Sequence, residues 1–137
     1  MVFNWGKRGY LLERAEAEVK RAKTALSNAK NQNDIKKSIN YTLKAFNLFA
    51  TAVLELKGYY IEGLEKEENF ESIRVFSINP KLHEHYSNLK KIANQRLTFY
   101  SDSIIIHGAD DYRIKTSGLE EPMEEILNEI KMLKPVF

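Results

Sequence analysis

Four side chains suited to phosphate chemistry recur at helical spacing in the second half of the chain: Arg96, Tyr100, Ser103 and His107. Their intervals of four, three and four residues place them on one line of a helix. Arginine offers a planar fork of donors to phosphate, tyrosine offers a stacking face to a base, and histidine exchanges protons near neutral pH. This combination suits an RNA or nucleotide ligand better than an apolar one.

The line continues the apolar face of a predicted helix, which begins with Leu82, Tyr86, Leu89 and Ala93. At about 1.5 Å of rise per residue, Arg96 and His107 would lie about 16 Å apart along the helix axis. One small substrate cannot contact both within a single chain. An extended ligand, or a groove completed by a second subunit, would allow contact with both. We therefore predict a groove beside a dimer interface, with Tyr112 near its mouth.

Within this groove, Arg96 and His107 are the predicted catalytic candidates, with histidine as general acid or base and arginine on a developing phosphorane charge. Tyr100, Ser103 and Tyr112 are the predicted binding residues. The alternative is a structural polar edge, whose side chains snorkel or hydrogen-bond to neighbouring loops.

Other chemistries find little support in the sequence. The chain has no cysteine, which excludes disulfides, thiolate zinc sites and a cysteine nucleophile. His83 and His85 are two residues apart, whereas a helical zinc pair needs a spacing of four. Asp102, Asp110 and Asp111 could share a cation, but two of them lie in an apparent turn, where acids are ordinary. We expect no metal and no cofactor.

The 137 residues, 43% hydrophobic and 29% charged, predict one globular domain over residues 1–137. No stretch approaches the ~20 apolar residues of a membrane span, and the first ten residues lack the apolar run of a signal peptide. We therefore expect a cytoplasmic protein without membrane contact. Residues 1–50 carry a net charge of +6 and residues 51–137 carry −4. This asymmetry indicates an anionic partner or self-association, or simply a solvated helix surface.

Apolar periodicity predicts an all-α, four-helix up-and-down bundle. A loop with a short extra helix is expected between helices two and three, over residues 64–79. The capping signals are Asn33 with Asp34 for helix two, Asn79 with Pro80 for helix three, and the capping-box spacing of Ser117 and Glu120 for helix four. The predicted helices cover residues 10–30, 34–60, 79–107 and 117–134.

The second predicted helix, INYTLKAFNLFATAVLELKGYYIEG, resembles the second helix of the HEPN superfamily (higher eukaryotes and prokaryotes nucleotide-binding domain). Its Leu54 to Gly58 segment matches the family's L-x-x-x-G phrase. The segments ERAEAEVKRAKTAL and NLKKIANQRLTFYSDSIIIHG resemble the family's first and third helices. The resemblance covers most of residues 10–133.

The resemblance implies a four-helix bundle that is usually a homodimer. Catalytic members of the family are metal-independent ribonucleases with an arginine, four to six intervening residues and a histidine. Here ten residues separate Arg96 from His107, and no other Arg–His pair fits. We therefore expect a non-catalytic module that binds RNA, a nucleotide or a partner protein, such as a nucleotidyltransferase in a toxin–antitoxin type of system. The alternatives are a divergent ribonuclease using Arg96 and His107, and a small structural or interaction protein.

Overall fold

The computed structural model describes residues 5–58, 69–72 and 79–134. These residues are mostly helical, as expected, but the chain is not purely all-α because residues 96–115 form a three-stranded antiparallel sheet. The elements in chain order are α1 (Trp5–Ser27), α2 (Gln32–Leu56), α3 (Asn69–Ser72), α4 (Pro80–Ala93), β1 (Arg96–Phe99), β2 (Ser103–His107), β3 (Tyr112–Lys115), a 3-10 turn (Thr116–Leu119) and α5 (Glu120–Leu133).

Helix α1 packs against α2 through its row of small and branched apolar residues. The row at intervals of three and four is buried, as its spacing predicts: Leu12, Ala15, Val19 and Ala22. Small side chains on this row allow close approach of α2. The buried hydroxyl Oγ of Ser38 accordingly donates a hydrogen bond of 2.8 Å to the carbonyl of Ala22 on α1.

Helix α2 is framed by local signals at both ends. Its N-cap is Asn31, not the expected Asn33, and the Asn31 side chain accepts a hydrogen bond from the backbone N–H of Asp34. The helix ends at Leu56, and Gly58 follows with φ of 87°, a conformation that favours glycine. The expected end at residue 60 lies outside the described residues.

The larger hydrophobic core surrounds the second half of α2. The Phe46 ring is fully buried, with its centroid 5.2 Å from that of Phe70 on α3 and 6.1 Å from that of Tyr86 on α4. The neighbouring Asn47 joins the same three helices by hydrogen bonds. Its Nδ2 donates to the Tyr86 hydroxyl at 3.2 Å, and its Oδ1 accepts from the backbone N–H of Phe70 at 3.0 Å.

The short helix expected between helices two and three is α3, which contributes Phe70 to this core. The rest of that predicted loop, apart from residue 79, lies outside the described residues.

Helix α4 begins as predicted, with Pro80 in its first turn and the Asn79 side chain accepting a hydrogen bond from the backbone N–H of Lys81. It does not continue to His107. It ends at Ala93, with Asn94 as its C-cap. The predicted helix over residues 79–107 is therefore wrong after residue 93, and its second half is β-structure.

The strands form where apolar and polar residues alternate. In β1 Leu97 is buried whereas Arg96 is exposed, and in β2 the β-branched run of Ile104 to Ile106 favours a strand. Strand β2 lies in the centre of the sheet, between β1 and β3. A helix over the same residues would place the isoleucine run around its circumference and leave part of it in water.

One face of the sheet closes a second hydrophobic core, and we call it the inner face. Its buried residues pack with the start of α2 and the end of α4. This core consists of Ile35, Ile39, Leu89, Ile92, Leu97, Ile104, Ile106 and Leu119. The sheet therefore occupies the place that the bundle prediction gave to the second half of helix three.

Helix α5 begins at Glu120 after the 3-10 turn, and no side chain caps its start. The capping box predicted from Ser117 and Glu120 is not formed there, because Ser117 lies inside the 3-10 turn. Pro122 is in the first turn of α5, where its missing N–H is tolerated. None of the described helices combines the length and apolarity that a membrane crossing requires.

Replacing Phe46 with alanine will lower the free energy of unfolding by about 3–5 kcal/mol, because it empties the centre of the larger core. Denaturant titration followed by circular dichroism measures this loss. The control is Met132→Ala, whose side chain is 78% exposed and whose effect is expected to stay within about 0.5 kcal/mol. Equal effects of the two substitutions would contradict the assignment of this core.

A disulfide will form between strands β1 and β2 in the double variant Arg96→Cys/His107→Cys. Paired residues on antiparallel strands have Cα atoms about 4.5–5.5 Å apart, which suits a disulfide, whereas the helix first predicted would separate them by about 16 Å. Intact mass after oxidation and thiol labelling detects the bond, with no background from native cysteine.

The matched control is Thr98→Cys/Arg113→Cys, because both positions pair with Ile105 from opposite sides and lie about 10 Å apart, two strand spacings. Free thiols in the oxidised Arg96→Cys/His107→Cys variant would refute the strand register. Disulfide formation to the same extent in both double variants would also refute it.

Candidate functional site

The strand register places Arg96 directly opposite His107 on β1 and β2. Side chains of such partners leave the same face of the sheet, with Cβ atoms about 5 Å apart. The expected separation of about 16 Å along a helix is therefore wrong, since the two residues are neighbours across a hairpin. A single small ligand can contact both without a second subunit.

The face opposite the inner face turns away from the core, and we call it the outer face. Residues two apart on a strand share a face, and paired residues share it across strands. By this rule the outer face carries Arg96, Thr98, Tyr100, Ser103, Ile105, His107, Arg113 and Lys115. All four residues of the predicted helical line belong to it.

Their common face has a different physical origin from the one predicted. Arg96 and Tyr100 are four residues apart, as are Ser103 and His107, and even spacings keep a side chain on one face of a strand. The interval of three between Tyr100 and Ser103 spans the hairpin turn. There the backbone N–H of Tyr100 donates to the carbonyl of Ser103 at 2.8 Å, and the reverse bond is 3.3 Å.

His107 is the centre of a hydrogen-bonded chain across the outer face. Its Nε2 is 2.6 Å from the Thr98 hydroxyl, and its Nδ1 is 3.0 Å from Oδ2 of Asp111. Because an ionised carboxylate only accepts, we assign the proton to Nδ1 and let the Thr98 hydroxyl donate to Nε2. The imidazole is thereby held in one tautomer and one orientation, as a general base requires.

Asp111 is anchored at the turn between β2 and β3. Its Oδ1 accepts a hydrogen bond of 3.3 Å from the backbone N–H of Gly108. The hydrogen bond with His107 is the main cause that lowers the pKa of Asp111, and the Gly108 N–H and the charges of His107 and Arg96 act in the same direction. Asp111 therefore stays ionised and available to orient His107 at neutral pH.

Three exposed cations share the outer face with these hydrogen-bonded side chains: Arg96, Arg113 and Lys115. None of them forms an ion pair with a carboxylate in the part of the chain that the structure describes. The Arg113 guanidinium lies over the Tyr100 ring, with Cζ 5.7 Å from the ring centroid, and Tyr100 is 47% exposed. The outer face thus combines three cations that form no ion pair within the described residues with an aromatic ring beneath one of them.

Ser103 and Tyr112 stand apart from the other predicted site residues. Ser103 is buried at the turn, with 6% of its surface exposed, so it is not presented to solvent. Tyr112 pairs with Ile106 and therefore belongs to the inner side of the sheet, where it is 41% exposed. It lines a groove with α4 and the start of α5 rather than the mouth of a groove shared with Arg96.

That groove has a volume of about 510 Å³ and lies between α4, β3, the 3-10 turn and the first turn of α5. Its polar lining includes Lys81, Glu84, His85, Tyr112 and Glu121. Neither Arg96 nor His107 contributes to it.

Helical periodicity gives no indication that Thr98, Asp111, Arg113 and Lys115 lie beside Arg96 and His107. Thr98 falls off the helical line because a helix turns it away from His107. The position of Asp111 in an apparent turn beside Asp110 indicates only an ordinary turn residue or a cation ligand. The signal that identifies them is alternation of polar with apolar residues in RLTFY and YRIK, which predicts strands rather than the expected helix and the loop after it.

Comparison with protein-family models, with curated proteins and with solved structures finds no match to this chain.

Proposed function

We propose that the outer face of the sheet binds the phosphate groups of RNA or of a nucleotide. In this proposal the protein is a non-catalytic binding module. The observation that carries this proposal is the set of three exposed cations, Arg96, Arg113 and Lys115, none of which forms an ion pair with a carboxylate of the described residues. Such a set on one side of a sheet attracts a polyanion, because binding releases the counterions of its phosphates.

Tyr100 supplies the contact for a base, whereas Arg113 beside it is one of the three phosphate contacts. An aromatic ring or a guanidinium plane accepts any base by stacking, and each such contact in single-stranded sites contributes ~1–3 kcal/mol. Arg96 and Lys115 lie on the two outer strands, on either side of β2. A short single strand crossing the face would meet one cation at each edge, and the Tyr100 ring at the turn between β1 and β2 would stack with one of its bases.

Arg96→Ala will weaken binding of a fluorescent single-stranded RNA at least about tenfold, because it removes charge-assisted hydrogen bonds worth ~1.5 kcal/mol or more. Fluorescence anisotropy at several salt concentrations measures this. Three phosphate contacts predict a slope of log affinity against log salt of about −2 for the native chain, and Arg113→Ala will make it shallower by about 0.7.

The control is Lys131→Ala, which removes an exposed lysine of the same charge near the end of α5 and should leave affinity and slope unchanged. Equal losses in Lys131→Ala and Arg96→Ala would mean that net charge, and not the outer face, binds the RNA. Failure of the native chain to bind at low salt would refute the proposal.

A second candidate function, metal-independent RNA cleavage, is favoured by the chain of Thr98, His107 and Asp111 beside Arg96. An RNA 2′-hydroxyl that replaces the Thr98 hydroxyl at Nε2 would lose its proton to His107 while Asp111 stabilises the imidazolium. The 2′-oxygen would then form a bond to the adjacent phosphorus, and the bond to the 5′-oxygen would break.

The charge that develops on the phosphoryl oxygens in this step falls beside Arg96, whose guanidinium suits a pentacoordinate phosphate. The protonated His107, or water, returns a proton to the leaving 5′-oxygen. The products are a 2′,3′-cyclic phosphate and a 5′-hydroxyl, so neither an oxidant nor a co-reactant is required.

If cleavage occurs, it will persist in a metal chelator, and His107→Ala will abolish it while Thr98→Val preserves it. The valine keeps the shape of threonine and frees Nε2 for the substrate. Gel analysis of a labelled RNA in excess EDTA measures the products. Intact RNA in a native chain that binds it would eliminate this second candidate and leave the binding module. Undiminished cleavage in His107→Ala would indicate a contaminating nuclease.

We further propose membership of the HEPN superfamily with its four-helix bundle, assembly as a homodimer, and a nucleotidyltransferase-type partner in a toxin–antitoxin type of system. The apolar face of α2 is covered within the chain, since Ile39, Phe46 and Phe49 are all buried. The homodimer proposal therefore rests on the charge difference between residues 1–50 and residues 51–137.

A further inference from the structure

A histidine and two carboxylates meet where α4 faces α5, beside the groove that contains Tyr112. One ligand atom from each of His85, Glu121 and Glu125 lies within 4.8 Å of the other two. His85 comes from α4, whereas the two glutamates are four residues apart on α5 and so project from successive turns of one side. The three are brought together by helix packing and not by a sequence motif.

His85 has an unmet polar atom at this position. Its Nε2 is buried from solvent and has no hydrogen-bond partner within residues 5–58, 69–72 and 79–134. A buried polar nitrogen without a partner costs free energy, and in native proteins such an atom is usually explained by water, an ion or a function. An ion held by the neighbouring carboxylates would account for it.

The two carboxylates also lack a compensating charge. Neither Glu121 nor Glu125 forms an ion pair with a lysine, arginine or histidine of the described chain. Like charges four residues apart on a helix repel each other. A divalent cation between them removes this repulsion and uses the same oxygens.

Glu125 is held in place from outside the cluster. Nδ2 of Asn79, the N-cap of α4, lies 3.5 Å from Oε2 of Glu125. Hydrogen bonds to a ligating carboxylate are the usual means by which proteins fix the orientation of a metal ligand. Asn79 therefore links the start of α4 to the side chain that completes the cluster.

We propose that His85, Glu121 and Glu125 bind one divalent transition-metal ion, of which Zn²⁺ is the representative. An imidazole nitrogen selects zinc-like ions over Mg²⁺, and carboxylate oxygens complete the set. Ligand atoms on one tetrahedral zinc ion are about 3.4 Å apart, so a modest rotation of the exposed Glu121 side chain closes the site. Three protein ligands leave a fourth position for water from the groove.

The proposal differs from the sequence expectation of no metal, which considered His83 and His85 along one helix. The additional ligands come from a helix 36 positions further along the chain, at Glu121. It is also independent of RNA binding, because no residue of the outer face takes part.

Isothermal titration of chelator-stripped protein with ZnCl₂ tests the site. We expect one Zn²⁺ per chain, a rise in melting temperature with added Zn²⁺, and no such rise with MgCl₂ at equal concentration. His85→Ala and Glu121→Gln should each weaken binding at least about tenfold, as the loss of a direct ligand costs no less than the loss of a supporting group. Because Glu121 is exposed, its substitution does not threaten folding.

The matched controls are Glu120→Gln, which removes an exposed carboxylate one position away, and His107→Ala, which removes a histidine that pairs with a carboxylate outside the cluster. Both should bind Zn²⁺ as the native chain does. The proposal is overturned if the native chain binds no stoichiometric Zn²⁺, if His85→Ala and Glu121→Gln bind it unchanged, or if His107→Ala alone loses it.

Discussion

The burial of one face of the sheet against the first turns of α2 determines which side chains the sheet presents to solvent. Ile35 and Ile39 of α2 pack in one core with Leu97, Ile104 and Ile106 of the strands. Because successive side chains of a strand point to opposite faces, Arg96 and His107 point outward when these apolar side chains point inward. A register shift of one residue would bury the charged set and expose Ile104 and Ile106, which is why this packing fixes the outer face as well as the core.

Much of the helical part could be predicted because its signals are local. The spacing of Leu12, Ala15 and Val19 identifies the buried row of α1, and Asn79 with Pro80 marks the start of α4. The change from helix to strand after residue 93 could not be predicted from helical periodicity. The intervals of four and three in that segment are compatible with a helix, whereas the alternation in RLTFY, the β-branched run of Ile104 to Ile106 and the contact with α2 favour strands.

The candidate site was predicted in its residue types and missed in its geometry. Arg96, Tyr100 and His107 were chosen for their chemistry, which does not depend on secondary structure. Their separation does depend on it, and pairing of strands replaces a long groove by adjacent side chains. Helical periodicity does not predict the hydrogen bond between Asp111 and His107, because that contact depends on the turn between β2 and β3. The cluster around His85 depends on the packing of two helices, which spacing along one helix cannot reveal.

The three strands follow one another without an intervening element, and this order affects the entropy of assembly. Thr98 and His107 are 9 positions apart, whereas Lys23 of α1 and Glu124 of α5 form an ion pair across 101 positions. Closing the shorter loop costs about 2 kcal/mol less than closing the longer one. The His107 imidazole and the Thr98 hydroxyl are thus brought together by closing only a short loop. The packing of α5 against α1 has the larger entropic cost. This cost lowers the stability of the whole fold more than it affects the geometry of the outer face.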